Sequence, residues 1–352
     1  MMSLWPEPAE PAARATLRFG DIDKKVLENL SAGTRIEHTL FVAADEQAQI
    51  EALTKSGDEW SDHRRFAIDA LLPVSFPDEE ADVEGLAADD NWLWLVGSHA
   101  RTRPKPEKAP GGCIDLDELA DLNDTRPRAL LGRIPLIEEG GRWTPVAQDG
   151  KRRAGILKQG KHGNAVAKAF RRDPLLRPFT RIPAKEGGID VEGIAVCGDR
   201  VALGMRGPVI ATHALLIEFA VQAKKSGSLA LTAPPVRRLL ALEGLGIRDL
   251  KRCGDDLLIL AGPTTGLSGP CALYRWRDWV NDPPHDPSRV RLHHPERICE
   301  LPFGRGVDHP EGLALWEDDA SGARQILVIC DSPSPARLGK KALVADVFRL
   351  PA

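Results

Sequence analysis

Asp190-Val191-Glu192-Gly193-Ile194-Ala195 is one of three copies of a single phrase, the others being Asp82-Val83-Glu84-Gly85-Leu86-Ala87 and His309-Pro310-Glu311-Gly312-Leu313-Ala314. A phrase that returns at intervals far longer than any helix or strand period marks a repeated structural unit. Each of the first two in the chain runs into a turn and then an apolar stretch: Asp89-Asp90-Asn91 precedes Trp92 to Val96, and Cys197-Gly198-Asp199 precedes Val201 to Leu203. Gly, Asn and Asp supply the backbone angles of tight hairpins, so the grammar reads strand, turn, strand. Two worn copies obey it as well. Gly246 to Leu250 leads through Cys253 to Asp256 into Leu257 to Leu260, with Arg248 where the others carry Glu; Asn29 to Gly33 leads to Leu40 to Ala43, with Ser31 there.

Spacing fixes the register. Glu84 to Ser98, Glu192 to Arg206, Arg248 to Gly262 and Ser31 to Asp45 are each fourteen positions apart, while Glu311 to Asp331 is lengthened by a polar segment between Trp316 and Gln325. The key positions themselves are separated by 53, 108, 56 and 63 residues. Units of that length fit four-stranded propeller blades, which avoid exposed sheet edges by radial repetition. The long step holds either a blade with a worn signature or one blade with a large insertion. Counted as two, it gives an all-β propeller of six blades, with five and seven as alternatives. Ala15 to Phe19 and Ala342 to Leu350 both read as strands, and too few residues follow Glu311 for a full blade unless the N-terminal segment completes it. The domain expectation is therefore a flexible segment over residues 1–14 and a single propeller over 15–352, closed by its two terminal strands.

Composition agrees with a turn-rich globular protein: 42% hydrophobic, 28% charged, with 32 Gly and 28 Pro. The net charge of -4 gives no general attraction to nucleic acid or to anionic membrane. No apolar run is long enough to span a bilayer, and the Pro- and Glu-rich start lacks the basic and apolar regions of a signal peptide. The expected location is the cytoplasm. The six cysteines show no close metal-type spacing, and Cys197 and Cys253 share one turn position in two repeats, so repeat register explains them better than a disulfide.

One region, near 151–175, departs from the all-β pattern. Between Lys151 and Arg172 there are eight Lys or Arg and no Asp or Glu, and Asn164 to Phe170 has helical composition, with Asn164 as its cap and Asp173-Pro174 as its stop. Gly160-Lys161-His162-Gly163 leading into that helix could present amides and Lys161 to an anion, although a solvated basic face is the commoner outcome of such a run.

Ala167 to Pro174, Ile182 to Gly193 and Leu203-Gly204-Met205-Arg206-Gly207-Pro208-Val209 together resemble the bacterial family called domain of unknown function 3616, over most of the chain. The resemblance implies a cytosolic propeller-like protein and no particular activity. A looser similarity, carried by the Asp-x-Glu-Gly phrase and the blade grammar, reaches toward esterase-like phytase domains and metal-dependent propeller lactonases. It implies a divalent cation held by carboxylates at one mouth of the channel, against which Ser31 and Arg248 stand as departures.

In a propeller the innermost strands line the channel, so equivalent positions gather into a ring. Facing inward, that ring holds Ser31, Glu84, Glu192, Arg248 and Glu311, with Asp45, Ser98, Arg206, Asp331 and the neighbouring His99 at the following strand ends. Three readings compete. Each Glu can pair with Arg206 or Arg248 and fix blade packing, since buried charges persist only when paired. Glu84, Glu192, Glu311 and Asp45 are hard oxygen ligands suited to Ca²⁺ or Mg²⁺, which would activate water for hydrolysis of a phosphoester, ester or lactone, with His99 as proton carrier. Alternatively Arg206 and Arg248, with Ser98 and Lys161, hold a small anionic molecule by charge-assisted hydrogen bonds. A non-catalytic protein-interaction platform is the opposing class, because propellers host unrelated roles. No Gly-x-Ser-x-Gly elbow or His-Glu-x-x-His helix occurs.

Overall fold

The repeated phrase opens the innermost strand of every blade. The computed structural model describes residues 5–44, 48–57, 59–77, 81–104, 112–123, 126–318 and 321–351. Among these, four-stranded units succeed one another around an axis. The first comprises Leu30–Ile36, Thr39–Ala44, Gln49–Ser56 and Glu59–Ala67; the second, Val83–Asp89, Trp92–Gly97, Leu131–Glu139 and Gly155–Ile156. The third comprises Asp190–Cys197, Arg200–Gly207, Ala214–Ala223 and Val236–Leu240, and the fourth Gly246–Cys253, Asp256–Gly262, Cys271–Trp276 and Glu296–Leu301. The last takes His309–Glu317, Arg324–Asp331 and Ala342–Arg349 from the C-terminus and Ala13–Arg18 from the N-terminus.

Each innermost strand packs against those of the two flanking blades, and the fifth packs against the first, which closes the ring. The described strands therefore make five units, the smaller of the alternative counts, in place of six. The long step between Glu84 and Glu192 holds one enlarged blade: the described residues between its second and third strands include the helix Leu116–Ala120, and residues 157–189 contain the helix Ala165–Arg172 and the short 3₁₀ turns Arg177–Arg181 and Ala184–Glu186. Residues 5–12 lie along the last two blades, with the Ala9 amide donating to the Glu300 carbonyl at 3.0 Å and the Ala12 amide to that of Val347 at 2.8 Å.

The phrase has a structural cause that its repetition alone did not disclose. In all five innermost hairpins the residue at the key position is skipped by the ladder: Val83 pairs Gly97 and Gly85 pairs Val96, leaving Glu84 out, and Ser31, Glu192, Arg248 and Glu311 are left out in the same way. A bulge bends its strand and re-aims the extra side chain. The glycine that follows is demanded by the close approach of neighbouring inner strands. A Cβ at Gly85 would lie 3.1 Å from the Glu192 carbonyl oxygen, one at Gly193 3.0 Å from the Leu250 nitrogen, and one at Gly312 3.0 Å from the Ser31 carbonyl oxygen. At the far end of the second hairpin, Asp90 and Asn91 take φ of 46° and 59°, the pair of left-handed residues a two-residue type I′ turn needs.

Blades adhere through apolar layers. Trp94, 1% exposed, packs in one cluster with Val191, Ile194 and Val196 of the next blade, and Trp279, fully buried, with Leu240, Leu250 and Leu257. The helix of the insertion turns Val166 and Phe170 into the first of these clusters, and the Asn164 side chain caps it by accepting from the Ala167 amide at 3.1 Å. All six cysteines are unpaired. No described helix is long and apolar enough to cross a membrane.

Candidate functional site

Innermost strands begin, and second strands end, on one face of the ring. Ladder partners such as Asp190 with Gly207 and His309 with Asp331 show this directly. The key residues and the strand-end residues therefore gather at one mouth. There an unbroken series of ion pairs crosses three blades. Asp190 and Glu192 both bind Arg206, the latter through Nη1 at 2.8 Å; Glu192 also takes Arg248 Nε at 2.9 Å, and Arg248 in turn binds Glu311. Glu192 and Arg248 are almost fully buried, and Arg206 and Glu311 largely so. Burial opposes the charge of Arg206, but Asp190, Glu192 and Glu84 outweigh it and hold its pKa well above the ordinary value for arginine.

The other ring members are engaged too. Ser31 is buried and its hydroxyl donates to the Val83 carbonyl of the next blade at 3.2 Å. The Ser98 hydroxyl donates to Asp82, which also pairs with Arg128 at 2.7 Å, and accepts from the Ala100 amide at 3.2 Å. Glu84 is half-buried and contributes to the field at Arg206. Asp45 lies outside the described residues. Among the described residues no group of three or more His, Cys, Asp or Glu side chains stands close enough to hold a metal ion.

His99 sits apart from the ion pairs, under the insertion, and is 8% exposed. Its Nδ1 faces the Gly97 backbone carbonyl at 2.8 Å and its Nε2 the Asn164 side-chain oxygen Oδ1 at 3.3 Å. Burial lowers its pKa from 6.5 to about 4, against the pull of those two acceptors, so the ring is neutral at neutral pH and donates to only one of them. A depressed pKa for a base means that the unfolded chain binds the proton first. Stability is then complete above pH 6.5 and falls as the pH drops toward 4, by about 3 kcal/mol for a shift of this size. Urea midpoints measured from pH 7 to pH 4 should fall less steeply in His99→Gln than in the wild type; identical slopes would refute the assignment.

Two further constellations lie on the same face. The first is a pocket of about 50 Å³ between the insertion and the second blade, lined by His99, Arg101, His162, Phe170, Arg171 and Ile189 among others. Arg101 Nε donates to the Thr180 carbonyl at 3.0 Å, and no described carboxylate pairs with Arg101 or Arg171. Burial and the neighbouring charge of Arg101 lower the pKa of Arg171. Lys161 is exposed and adjoins His162. The second joins the last two blades: Ser268 Oγ stands 3.3 Å from His309 Nε2, and His309 Nδ1 stands 3.9 Å from Asp331 Oδ2.

The structure thus brings Glu192, Glu311, Arg206 and Arg248 together, with Glu84 beside them, and leaves Ser98, His99 and Lys161 in other surroundings. Sequence reasoning passed over Arg101, Arg171 and Ser268. The run Lys151 to Arg172 signalled excess positive charge at Arg171, whereas Arg101 and Ser268 belong to loops with no periodicity. His309 carried a signal: it stands where two other copies of the phrase have Asp82 and Asp190.

The chain belongs to the family described as "Protein of unknown function (DUF3616)", which matches residues 29–346. No curated protein matches it. Solved structures similar to it include glutaminyl cyclase from Myxococcus xanthus, 10% identical with a TM-score of 0.41, over 97% of this chain and 100% of that one. An exo-β-1,3-galactanase from Phanerochaete chrysosporium with galactose is 10% identical with a TM-score of 0.41, over 98% of this chain and 65% of that one. A streptogramin B lyase is 9% identical with a TM-score of 0.35, over 96% and 98% respectively. These are likenesses of chain path and say nothing of what this chain binds.

Proposed function

We propose that this propeller binds a small anionic molecule, through a phosphate or carboxylate group, in the pocket between the insertion and the second blade. The observation that carries the reading is the pairing of Arg101 and Arg171 at one pocket with no described carboxylate to neutralise either. Two like charges in a partly enclosed space repel, and an oxyanion placed between them removes the repulsion while accepting charge-assisted hydrogen bonds. The volume suits one oxyanion group or a few waters. The adjoining Lys161 adds positive charge at the rim, His162 offers a ring nitrogen there, and Phe170 and Ile189 offer an apolar wall to the rest of the ligand. Arg206 and Arg248, the other arginines at this mouth, are occupied by Asp190, Glu192 and Glu311, which favours a blade-fixing role for the ring.

Titration calorimetry with inorganic phosphate and with acetate tests the proposal and separates its two chemistries. The wild type should bind one of them, and Arg171→Gln should weaken binding at least about tenfold, equivalent to about 1.4 kcal/mol. Arg349→Gln, on the last blade, should leave it unchanged. If neither anion binds the wild type or raises its melting temperature, the reading is wrong, because a ligand held only by the native state must stabilise it.

A further inference from the structure

The loop between Gly262 and Cys271 reads Pro263-Thr264-Thr265-Gly266-Leu267-Ser268-Gly269-Pro270 and carries Ser268 exposed at the mouth. The Gly306 amide donates to Ser268 Oγ at 2.9 Å, and the hydroxyl stands 3.3 Å from His309 Nε2, to which it donates its proton when that nitrogen is the unprotonated one. On the far side of the ring, His309 Nδ1 faces Asp331 Oδ2 at 3.9 Å. That separation is longer than a hydrogen bond; such contacts in a nucleophile–base–carboxylate series commonly tighten when substrate is bound. Asp331 is itself steadied by the Ser332 hydroxyl, which donates to Oδ2 at 3.1 Å. His309 and Asp331 are also direct ladder partners across the innermost hairpin of the last blade, so the sheet fixes their spacing.

A second feature supplies room for a substrate. A groove of about 790 Å³ is lined by Lys24, Lys25, Val307, Ser332, Pro333 and Leu338 among others. Ser332, whose hydroxyl bonds Asp331, lines this groove, and Val307 stands two residues before His309, so the groove meets the series at its carboxylate end. Leu267, 77% exposed beside Ser268, and Phe303, 38% exposed, add apolar surface nearby in the chain.

We propose that Ser268, His309 and Asp331 form a hydrolytic triad for small carboxylic esters, cyclic esters included. The Ser268 oxygen attacks the acyl carbon while His309 Nε2 takes its proton. The bond from that carbon to the alcohol oxygen breaks, and His309 returns the proton to the departing alkoxide. Water then attacks the acyl-serine, losing a proton to His309, and Ser268 leaves with that proton as a hydroxyl. One ester and one water give one acid and one alcohol, with no change of oxidation state. Asp331 holds the imidazole in the tautomer with Nδ1 protonated and Nε2 free, and stabilises the imidazolium as it forms. This site is independent of the anion pocket on the other side of the mouth, and either can fail alone.

The test is hydrolysis of p-nitrophenyl acetate, p-nitrophenyl butyrate and a γ-lactone, together with labelling by a fluorophosphonate read by mass spectrometry. The wild type should turn over at least one ester and carry the label on Ser268. Ser268→Ala should lose the label and at least about 10²-fold in kcat/KM. Because Ser268 is exposed, this variant is expected to fold, and an unchanged melting temperature will show it. His309→Gln should lose the acidic limb of the pH profile, which a merely structural role would not remove. A wild type that neither turns over nor takes the label overturns the proposal, as does a Ser268→Ala protein with undiminished activity. Ser226→Ala, on a distant turn, should match the wild type throughout.

Discussion

Replacing Arg248 by methionine should lower the free energy of unfolding by about 3–5 kcal/mol, the loss expected when one partner of a buried ion pair is removed. Arg248 is the only guanidinium shared by Glu192 and Glu311 among the described ion pairs, and it joins the third and last blades through the fourth. Without it Glu311 loses this guanidinium, and Glu192 keeps its ion pair with Arg206. Urea denaturation of Arg248→Met measures the loss. Running the same melts after chelator treatment, with and without Ca²⁺, Mg²⁺ or Mn²⁺, separates the two readings of the ring. Ion pairing predicts the same loss in every buffer. A cation held by Glu84, Glu192 and Glu311 predicts instead that the wild type gains stability with metal, and that Glu192→Gln loses that gain. A loss below about 1 kcal/mol in Arg248→Met would remove the structural role.

Glu192 itself shows how much of this was legible beforehand. The Asp-x-Glu-Gly phrase and the fourteen-residue spacing disclosed the inner hairpins because two local demands recur around the axis: a skipped residue in the ladder, and a neighbour small enough for adjacent strands to approach. Both restrict residue type at fixed positions and so leave a trace in sequence. The outer strands face no such restriction. Gly155–Ile156, the outermost strand of the second blade, is two residues long and carries no alternation, so the extra 50 or so residues around it read equally well as a sixth blade. At the site, charge was legible and partnership was not. Arg206 and Arg248 were visible as cations at the mouth, but only distances show that they neutralise Asp190, Glu192 and Glu311 and have no charge to spare for a ligand. Ser268 left no trace, because its approach to His309 joins a loop to a strand across 41 residues of chain.

The fourth blade breaks the Gly-x-Ala pattern seen as Gly85-Leu86-Ala87, Gly193-Ile194-Ala195 and Gly312-Leu313-Ala314, and a second large effect is expected there. It carries Asp249 and Lys251 instead, both buried, with Lys251 Nζ 2.6 Å from each carboxylate oxygen. Burial pushes the Asp249 pKa up and the Lys251 pKa down, and each is held charged by the other. Asp249 also accepts from the Leu250 amide and, across the blade boundary, from the Leu313 amide, each at 2.7 Å. Asp249→Ala should therefore destabilise by at least about 3–5 kcal/mol, since it strands a buried ammonium together with two amides. Adding Lys251→Met should restore the part due to the ammonium and leave about 1–3 kcal/mol for the unsatisfied amides. A double-mutant cycle in urea isolates the coupling. If the cost of the double variant equals the sum of the Asp249→Ala and Lys251→Met costs, the pair contributes no mutual stabilisation, and the two amide bonds to Asp249 account for its place in the blade.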